Sequence, residues 1–328
     1  MSRRLLVFAP NWLGDAVMAL PALADVVRGS TDTTIDLAAR PAIAPLAPLV
    51  PGIARTVLLG SRRDSVAAVR AGGYDAALLF TNSFNTAWIV RAAGVPERWG
   101  YRNEFRSILL TRAFDPPARV HQATYYQRLT TALGYAPGPL EPGLAVTDEL
   151  RTIGRDVLTA AGWDGLGALV AVAPGAAFGG AKRWPADQFG AAIAQLGRDN
   201  VRAVLIGARA DRAAAHEVLA ATHSTLRPID LVGTTDLSEL AAVLTHCRTL
   251  ITNDSGAMHF AAALGTNVTA VFGPTNERET SPLGAGRVSV VHADVWCRPC
   301  MLRECPLTHQ CMRSIPAERV AQEARMQL

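Results

Sequence analysis

The sequence predicts an α/β protein made of two doubly wound halves, each a parallel sheet covered by helices. Three observations carry this expectation. Short apolar runs alternate with amphipathic stretches of helical spacing almost from end to end, the pattern of repeated β-then-α units. The chain has 328 residues, roughly two domains of ordinary size. Near mid-chain, Tyr135–Pro142 (YAPGPLEP) is dense in proline and glycine, as a linker between domains would be.

The elements follow in order. Arg4–Ala9 reads as a buried strand and Asp15–Arg28 as one helix, with Ala16, Ala19, Leu20, Leu23, Val26 and Val27 near helical spacing. Thr34–Ala39 and Ala76–Thr81 read as strands, and the basic, aromatic stretch Arg98–Arg112 as loop or irregular chain. After the linker, Asp148–Ala161 is a helix. Strands are expected at Ala168–Ala173, Ala203–Gly207, Leu231–Gly233, Thr249–Thr252 and Asn267–Phe272. Helices are expected at Pro185–Arg198, Asp211–Thr222, Asp236–Thr245 and Ser255–Leu264. Two such halves would face each other across a cleft, with ligands at the carboxyl ends of the strands.

Composition narrows the class. Hydrophobic residues make up 49% and charged residues 18%, which excludes a disordered chain. The net charge of +4 and a pI near 9.0 are mild for this length, and point weakly at best to nucleic acid. The uncharged stretch Gly165–Ala181 is interrupted by Pro174 and several glycines and is too short to span a bilayer. The start, Arg3 and Arg4 followed only by Leu5–Phe8 before Pro10, is not a secretory signal. The expected location is the cytoplasm.

Three familiar signatures are missing. No G-x-G-x-x-G follows the first strand, no G-x-x-x-x-G-K-[ST] occurs, and there is no Asp-x-Asp. A nicotinamide dehydrogenase and an ordinary P-loop enzyme are therefore disfavoured. A bound diphosphate would have to be met by helix ends and basic side chains instead of a carboxylate-held cation.

Candidate residues cluster after predicted strands. Asn11-Trp12-Leu13-Gly14-Asp15 follows the first; Gly14 would allow a tight turn, and Asp15 reads either as a helix N-cap or as a general base. The loop Pro174–Pro185 (PGAAFGGAKRWP) holds Gly175 and Lys182, the only lysine in the chain. A compact ammonium there suits a phosphate oxygen; the alternative is a solvated lysine before a helix. In Thr252-Asn253-Asp254-Ser255-Gly256-Ala257-Met258-His259, a helix starting near Ser255 offers free N–H groups to an anion. Gly256 would allow close approach and His259 would add a donor. The plainer reading makes Asp254 an N-cap and His259 a packed core residue. Thr275 in Phe272-Gly273-Pro274-Thr275 offers a hydroxyl, and Asp211 either a ribose acceptor or another cap.

Four of five cysteines crowd into Cys297-x2-Cys300-x4-Cys305-x5-Cys311, with His309 between. They could hold a structural zinc or remain free thiols or local pairs. Their place in the sequence puts them beyond the strand-end loops. A basic, zinc-bearing nucleic-acid module built on them is the non-enzymatic alternative.

Taken together, N-W-L-G-D, P-G-A-x-F-G-x-A-K-R-W-P, T-N-D-S-G-x-M-H and F-G-P-T resemble the bacterial lipopolysaccharide heptosyltransferases of glycosyltransferase family nine. R-W-G-Y-R (Arg98–Arg102), H-Q-x-x-Y-Y (His121–Tyr126) and the late cysteine run bring the resemblance closest to the branch that adds the second heptose, heptosyltransferase II. It extends from Leu5 to about Val320.

The resemblance implies a GT-B fold of two Rossmann-like domains. Residues 1–147 would bind the acceptor and 148–328 the nucleotide sugar. It implies ADP-L-glycero-β-D-manno-heptose as donor, the lipid A–Kdo–heptose inner core as acceptor, and inverting, metal-independent transfer at the inner face of the cytoplasmic membrane, with no nucleic acid partner. Asp15 falls on the proposed base, Lys182 on the diphosphate-contacting lysine, and Asp254, Gly256 and His259 on the donor pattern. Ala177 and Gly180 depart from the acidic residue and the proline common in this branch. Another acceptor or nucleotide sugar, or a nucleotide-sugar epimerase on the same plan, is the alternative. Arg98, Arg102, Arg106, Arg112 and Arg119 would meet acceptor phosphates, with Trp99 and Tyr101 against sugar faces; a solvated basic loop is the plainer reading.

Overall fold

The computed structural model describes residues 3–103 and 105–328. The chain divides into two compact units, Met1–Ala145 and Val146–Leu328.

The first unit runs β1 (Arg3–Phe8), α1 (Leu13–Met18), α2 (Leu20–Arg28), β2 (Thr33–Ala39), β3 (Arg55–Leu58), α3 (Arg62–Gly72), β4 (Ala76–Leu79), α4 (Phe84–Ala92), β5 (Glu97–Tyr101), β6 (Arg112–Phe114) and α5 (Gln122–Leu133). Its six strands lie in the order β3-β2-β1-β4-β5-β6, with every adjacent pair parallel. Leu6, Phe8, Ala77, Leu79 and Val90 form part of the core against this sheet. Continuous apolar strands of this kind are what a sheet covered on both faces requires.

The second unit runs α6 (Asp148–Ala160), β7 (Ala168–Ala173), α7 (Ala186–Arg198), β8 (Val201–Leu205), α8 (Arg212–Ala221), β9 (Ile229–Asp230), α9 (Leu237–Leu244), β10 (Cys247–Asn253), α10 (Gly256–Ala263), β11 (Asn267–Phe272), α11 (Glu277–Thr280), β12 (Val288–His292), α12 (Gln310–Arg313) and α13 (Ala317–Arg325). Its sheet is also parallel, in the order β12-β11-β10-β7-β8-β9. In each unit the winding direction reverses beside the first strand, between β1 and β4 and between β7 and β10. Such switch points open a crevice at the carboxyl ends of the two strands. Asp15, Lys182 and Asp254 follow the carboxyl ends of β1, β7 and β10 along the chain.

Several expectations are corrected. The single helix Asp15–Arg28 is two helices that meet at Ala19. Pro21 is the cause: it has no N–H to donate, and its ring excludes the carbonyl of Val17. Arg98–Arg112 is not loop but β5, a 3-10 turn at Arg106–Leu109 and the start of β6. Its arginines mimic a solvated loop in the sequence, yet Arg98 donates to the carbonyls of Leu109 (2.7 Å), Val95 (2.6 Å) and Pro96 (2.8 Å). The strand expected at Leu231–Gly233 lies at Ile229–Asp230, because Asp230 Oδ1 accepts from Val232 N (3.0 Å) and turns the chain. The Tyr135–Pro142 segment contains no helix or strand. It is pinned where Gly138 N donates to the buried Asp25 Oδ1 (2.9 Å) and Gln127 Nε2 donates to Gly138 O (2.9 Å).

Candidate active site

In the first unit, Asn11 and Trp12 are exposed in the turn after β1. Trp12 occupies the N-cap of α1 and makes no side-chain cap. Gly14 therefore lies inside the helix rather than in the turn, and Asp15 stands within its first turn, not at the cap. The carboxylate of Asp15 accepts from the hydroxyl of Tyr126 at 3.4 Å.

Tyr126 is buried, held edge-on by Phe80 and Tyr125, each with ring centroids 5.5 Å away. Burial, and then the charge of Asp15, push its hydroxyl well above the ordinary phenol range, so it stays a donor. Tyr125 is fixed in turn by Asn82 Nδ2 (2.8 Å) and by Tyr101, whose hydroxyl donates to the Tyr125 carbonyl (2.6 Å). The H-Q-x-x-Y-Y motif carried this signal without revealing a role: His121 caps α5 by accepting from Ala123 N (3.2 Å), and Tyr126 touches Asp15.

The basic stretch behaves differently from expectation. Arg106 is fully buried. It donates to Tyr101 O (2.8 Å), Thr81 O and Asn82 Oδ1 (3.4 Å). Trp99 and Tyr101 are buried too, because they are sheet residues of β5. Tyr101 and Arg106 support the aromatic wall behind Asp15, and none of the three side chains is open to an acceptor. Arg102 is exposed and paired with the exposed Asp115 at 3.2 Å.

In the second unit, Lys182, Asp254 and Thr275 come together from three different loops. Asp254 Oδ2 accepts from Lys182 Nζ at 2.6 Å and from Thr275 Oγ1 at 2.6 Å. Asp254 is 5% exposed and the Lys182 side chain 12%. Asp254 is thus the hub of a buried triad and not the N-cap of α10; that place is taken by Ser255, which makes no side-chain cap and meets Thr252 Oγ1 at 3.1 Å. Gly256 opens α10, whose first-turn N–H groups have no acceptor within the helix. His259, one turn further, is buried.

Asn253, the last residue of β10, closes the Lys182 loop at both ends. Its Nδ2 donates to Pro174 O (2.8 Å) and its Oδ1 accepts from Trp184 N (2.9 Å). Gly175 is dictated by a neighbour: a Cβ there would stand 2.2 Å from Asp211 Oδ1. Asp211 itself closes a 3-10 turn by accepting from Ala208 N at 2.9 Å. The sequence marks Gly175 and Asp211 as separate features and carries no local sign of the part Asn253 plays.

Cys297, Cys300, Cys305 and Cys311 are free thiols, and among the described residues no group of three or more His, Cys, Asp or Glu is placed to hold a metal ion. The segment is not beyond the strand-end loops, as its sequence position suggested. Ala181 N donates to Arg303 O at 2.9 Å, which puts it directly against the Lys182 loop. Among the described residues, no helix is long and apolar enough to cross a membrane.

The family model described as Glycosyltransferase family 9 (heptosyltransferase) matches residues 62–310. The chain belongs to that family. This glycosyltransferase is 30% identical over 300 residues to lipopolysaccharide heptosyltransferase 2 of Salmonella typhimurium, a match covering 85% of each chain. It is 29% identical over 300 residues to the protein of the same name from Escherichia coli strain K12, again with 85% of each covered. Its fold matches the structure of E. coli ADP-heptose LPS heptosyltransferase II with a TM-score of 0.85 and 29% identity, covering 98% of both chains. The GT-B class expected from the resemblance is borne out by that match.

Proposed function

We propose that this glycosyltransferase moves a heptose from ADP-L-glycero-β-D-manno-heptose to the inner core of lipopolysaccharide, as the second heptose, with inversion. The observation that carries the donor half is the Lys182–Asp254–Thr275 triad beside the uncapped start of α10, at a sheet switch point. An ammonium has three donors, and Asp254 occupies one. The others, with the α10 amides, form a preorganised positive field for a diphosphate. The similarity to heptosyltransferases 2 supports the choice of sugar and acceptor.

In this reading Asp15 takes the proton from the acceptor hydroxyl as that oxygen attacks the anomeric carbon. Tyr126 fixes the carboxylate by donating to it. The bond from the anomeric carbon to the diphosphate breaks, and the charge left on ADP is met by Lys182 and α10. That field replaces a divalent cation. The acceptor is lipid-anchored, so the protein works peripherally at the cytoplasmic face of the inner membrane.

The test is incubation with ADP-heptose and core acceptor lacking the second heptose, with mass detection of product. The reading expects ADP release coupled to a one-heptose mass gain. ADP released without acceptor would favour a different reaction, and transfer only to another acceptor a different family role.

A further inference from the structure

Segment Cys297–Cys311 touches both loops that meet at Asp254. On the Lys182 side, Ala181 N donates to Arg303 O (2.9 Å) and Gly180 N donates to Glu304 Oε1 (3.0 Å). His309 Nε2 lies 2.7 Å from Ala181 O. The Phe178 ring meets two cations, with Lys182 Nζ 4.8 Å and Arg303 Cζ 5.2 Å from its centroid. A Cβ on Gly179 would stand 2.3 Å from Arg303 O.

On the Thr275 side, Arg298 Nε donates to Gly273 O (2.7 Å) and its Nη2 to Thr275 O (3.4 Å) and to Glu277 Oε2 (2.6 Å). Met301 N donates to Pro274 O (2.9 Å). Between the two sets of contacts lies a cavity of about 30 Å³ lined by all four cysteines together with Ala181 and Pro274. Residues 293–309 form no helix or strand, and Met301 and His309 hold left-handed φ angles of 58° and 59°, which side-chain-bearing residues seldom adopt. The segment takes its shape from these contacts.

We infer that this cysteine-rich segment is a brace that sets Lys182 and Thr275 about Asp254, with Glu304 and Arg298 as positioning residues. Neither touches Asp254; each acts through a loop backbone. Gly180 is the point where Glu304 holds the Lys182 loop. Proline there would have no N–H for Glu304, and any Cβ would stand 2.7 Å from Glu304 Oε2. The inference rests on the donor-site reading above only for its effect on ADP; its effect on Lys182 is independent of that reading.

The test exploits Lys182 being the only lysine. Its acylation by an amine reagent, followed by peptide mass mapping, reports how firmly Asp254 holds it without any ligand. Glu304 is exposed, so Glu304→Ala leaves the core intact, which thermal unfolding checks. Glu304→Ala and Gly180→Pro are expected to speed Lys182 labelling about fivefold, as local loosening of one loop would, and Glu304→Gln, which keeps the acceptor oxygen, to restore the slow rate. ADP binding by calorimetry should weaken about fivefold in Glu304→Ala and show no further loss when that change is added to Lys182→Ala, the non-additivity expected of residues acting through one another. Unchanged labelling in both variants overturns the brace, whatever ADP does. Faster labelling with no ADP binding by the wild type upholds the brace and overturns the donor-site reading.

Discussion

Lys182 Nζ and Asp254 Oδ2 lie 2.6 Å apart with both side chains nearly removed from water. Seventy-two residues separate them in sequence, so the pair joins the loops after β7 and β10. Removing one partner leaves a buried charge, which typically costs about 3–5 kcal/mol. Lys182→Ala should therefore lower both ADP affinity and thermal stability. Lys182→Met combined with Asp254→Asn should recover most of the stability and none of the affinity, measured by thermal unfolding and calorimetry. Recovery of ADP binding in the double variant would show that the ammonium does not contact the nucleotide.

Asp15→Asn keeps the size and the hydrogen bond from Tyr126 but removes the base. Turnover should fall by about 10²–10⁴-fold, the usual worth of a general base, while ADP affinity is unchanged because Asp15 belongs to the other unit. Near-normal turnover would remove Asp15 from the chemistry.

Chelation should leave transfer intact. The positive field in this account comes from Lys182 and helix α10, so turnover in excess EDTA should match that in added magnesium. A large loss restored by magnesium would require a cation on the diphosphate.

Alkaline pH should loosen the first unit. Burial, and then the hydrogen bond to Asp36, raise Tyr74 to about 12 from an ordinary value of 10.0. Between those values the unfolded chain has lost a proton that the folded chain keeps, so the unfolded state is favoured as pH rises. The contribution is fully present below pH 10 and lost through about pH 12. Denaturant midpoints at pH 9, 10 and 11 should fall progressively, and less steeply in Tyr74→Phe. A flat profile would contradict the burial of this hydroxyl.

Legibility in the sequence followed how local the cause was. The strands at Ala168–Ala173 and Asn267–Phe272 have the bounds read from their apolar runs, since a strand buried on both faces announces itself residue by residue. Strand β5 was hidden because Arg98 and Arg106 spend their charge on backbone carbonyls, a use that composition cannot distinguish from solvation. Asp254 is ambiguous in the sequence for a related reason. Thr252, Asn253, Asp254 and Ser255 are all capping residue types, and only the tertiary contacts from Lys182 and Thr275 decide among them. The link between the cysteine-rich segment and the Lys182 loop spans more than 120 residues and leaves no local pattern to read.

The most direct test of the donor site is a crystal structure of the protein with ADP. The diphosphate is expected within hydrogen-bond reach of Lys182 Nζ and of the first-turn amides of α10, with Asp254 still holding the ammonium. ADP bound away from residues 182 and 254–259 would contradict it.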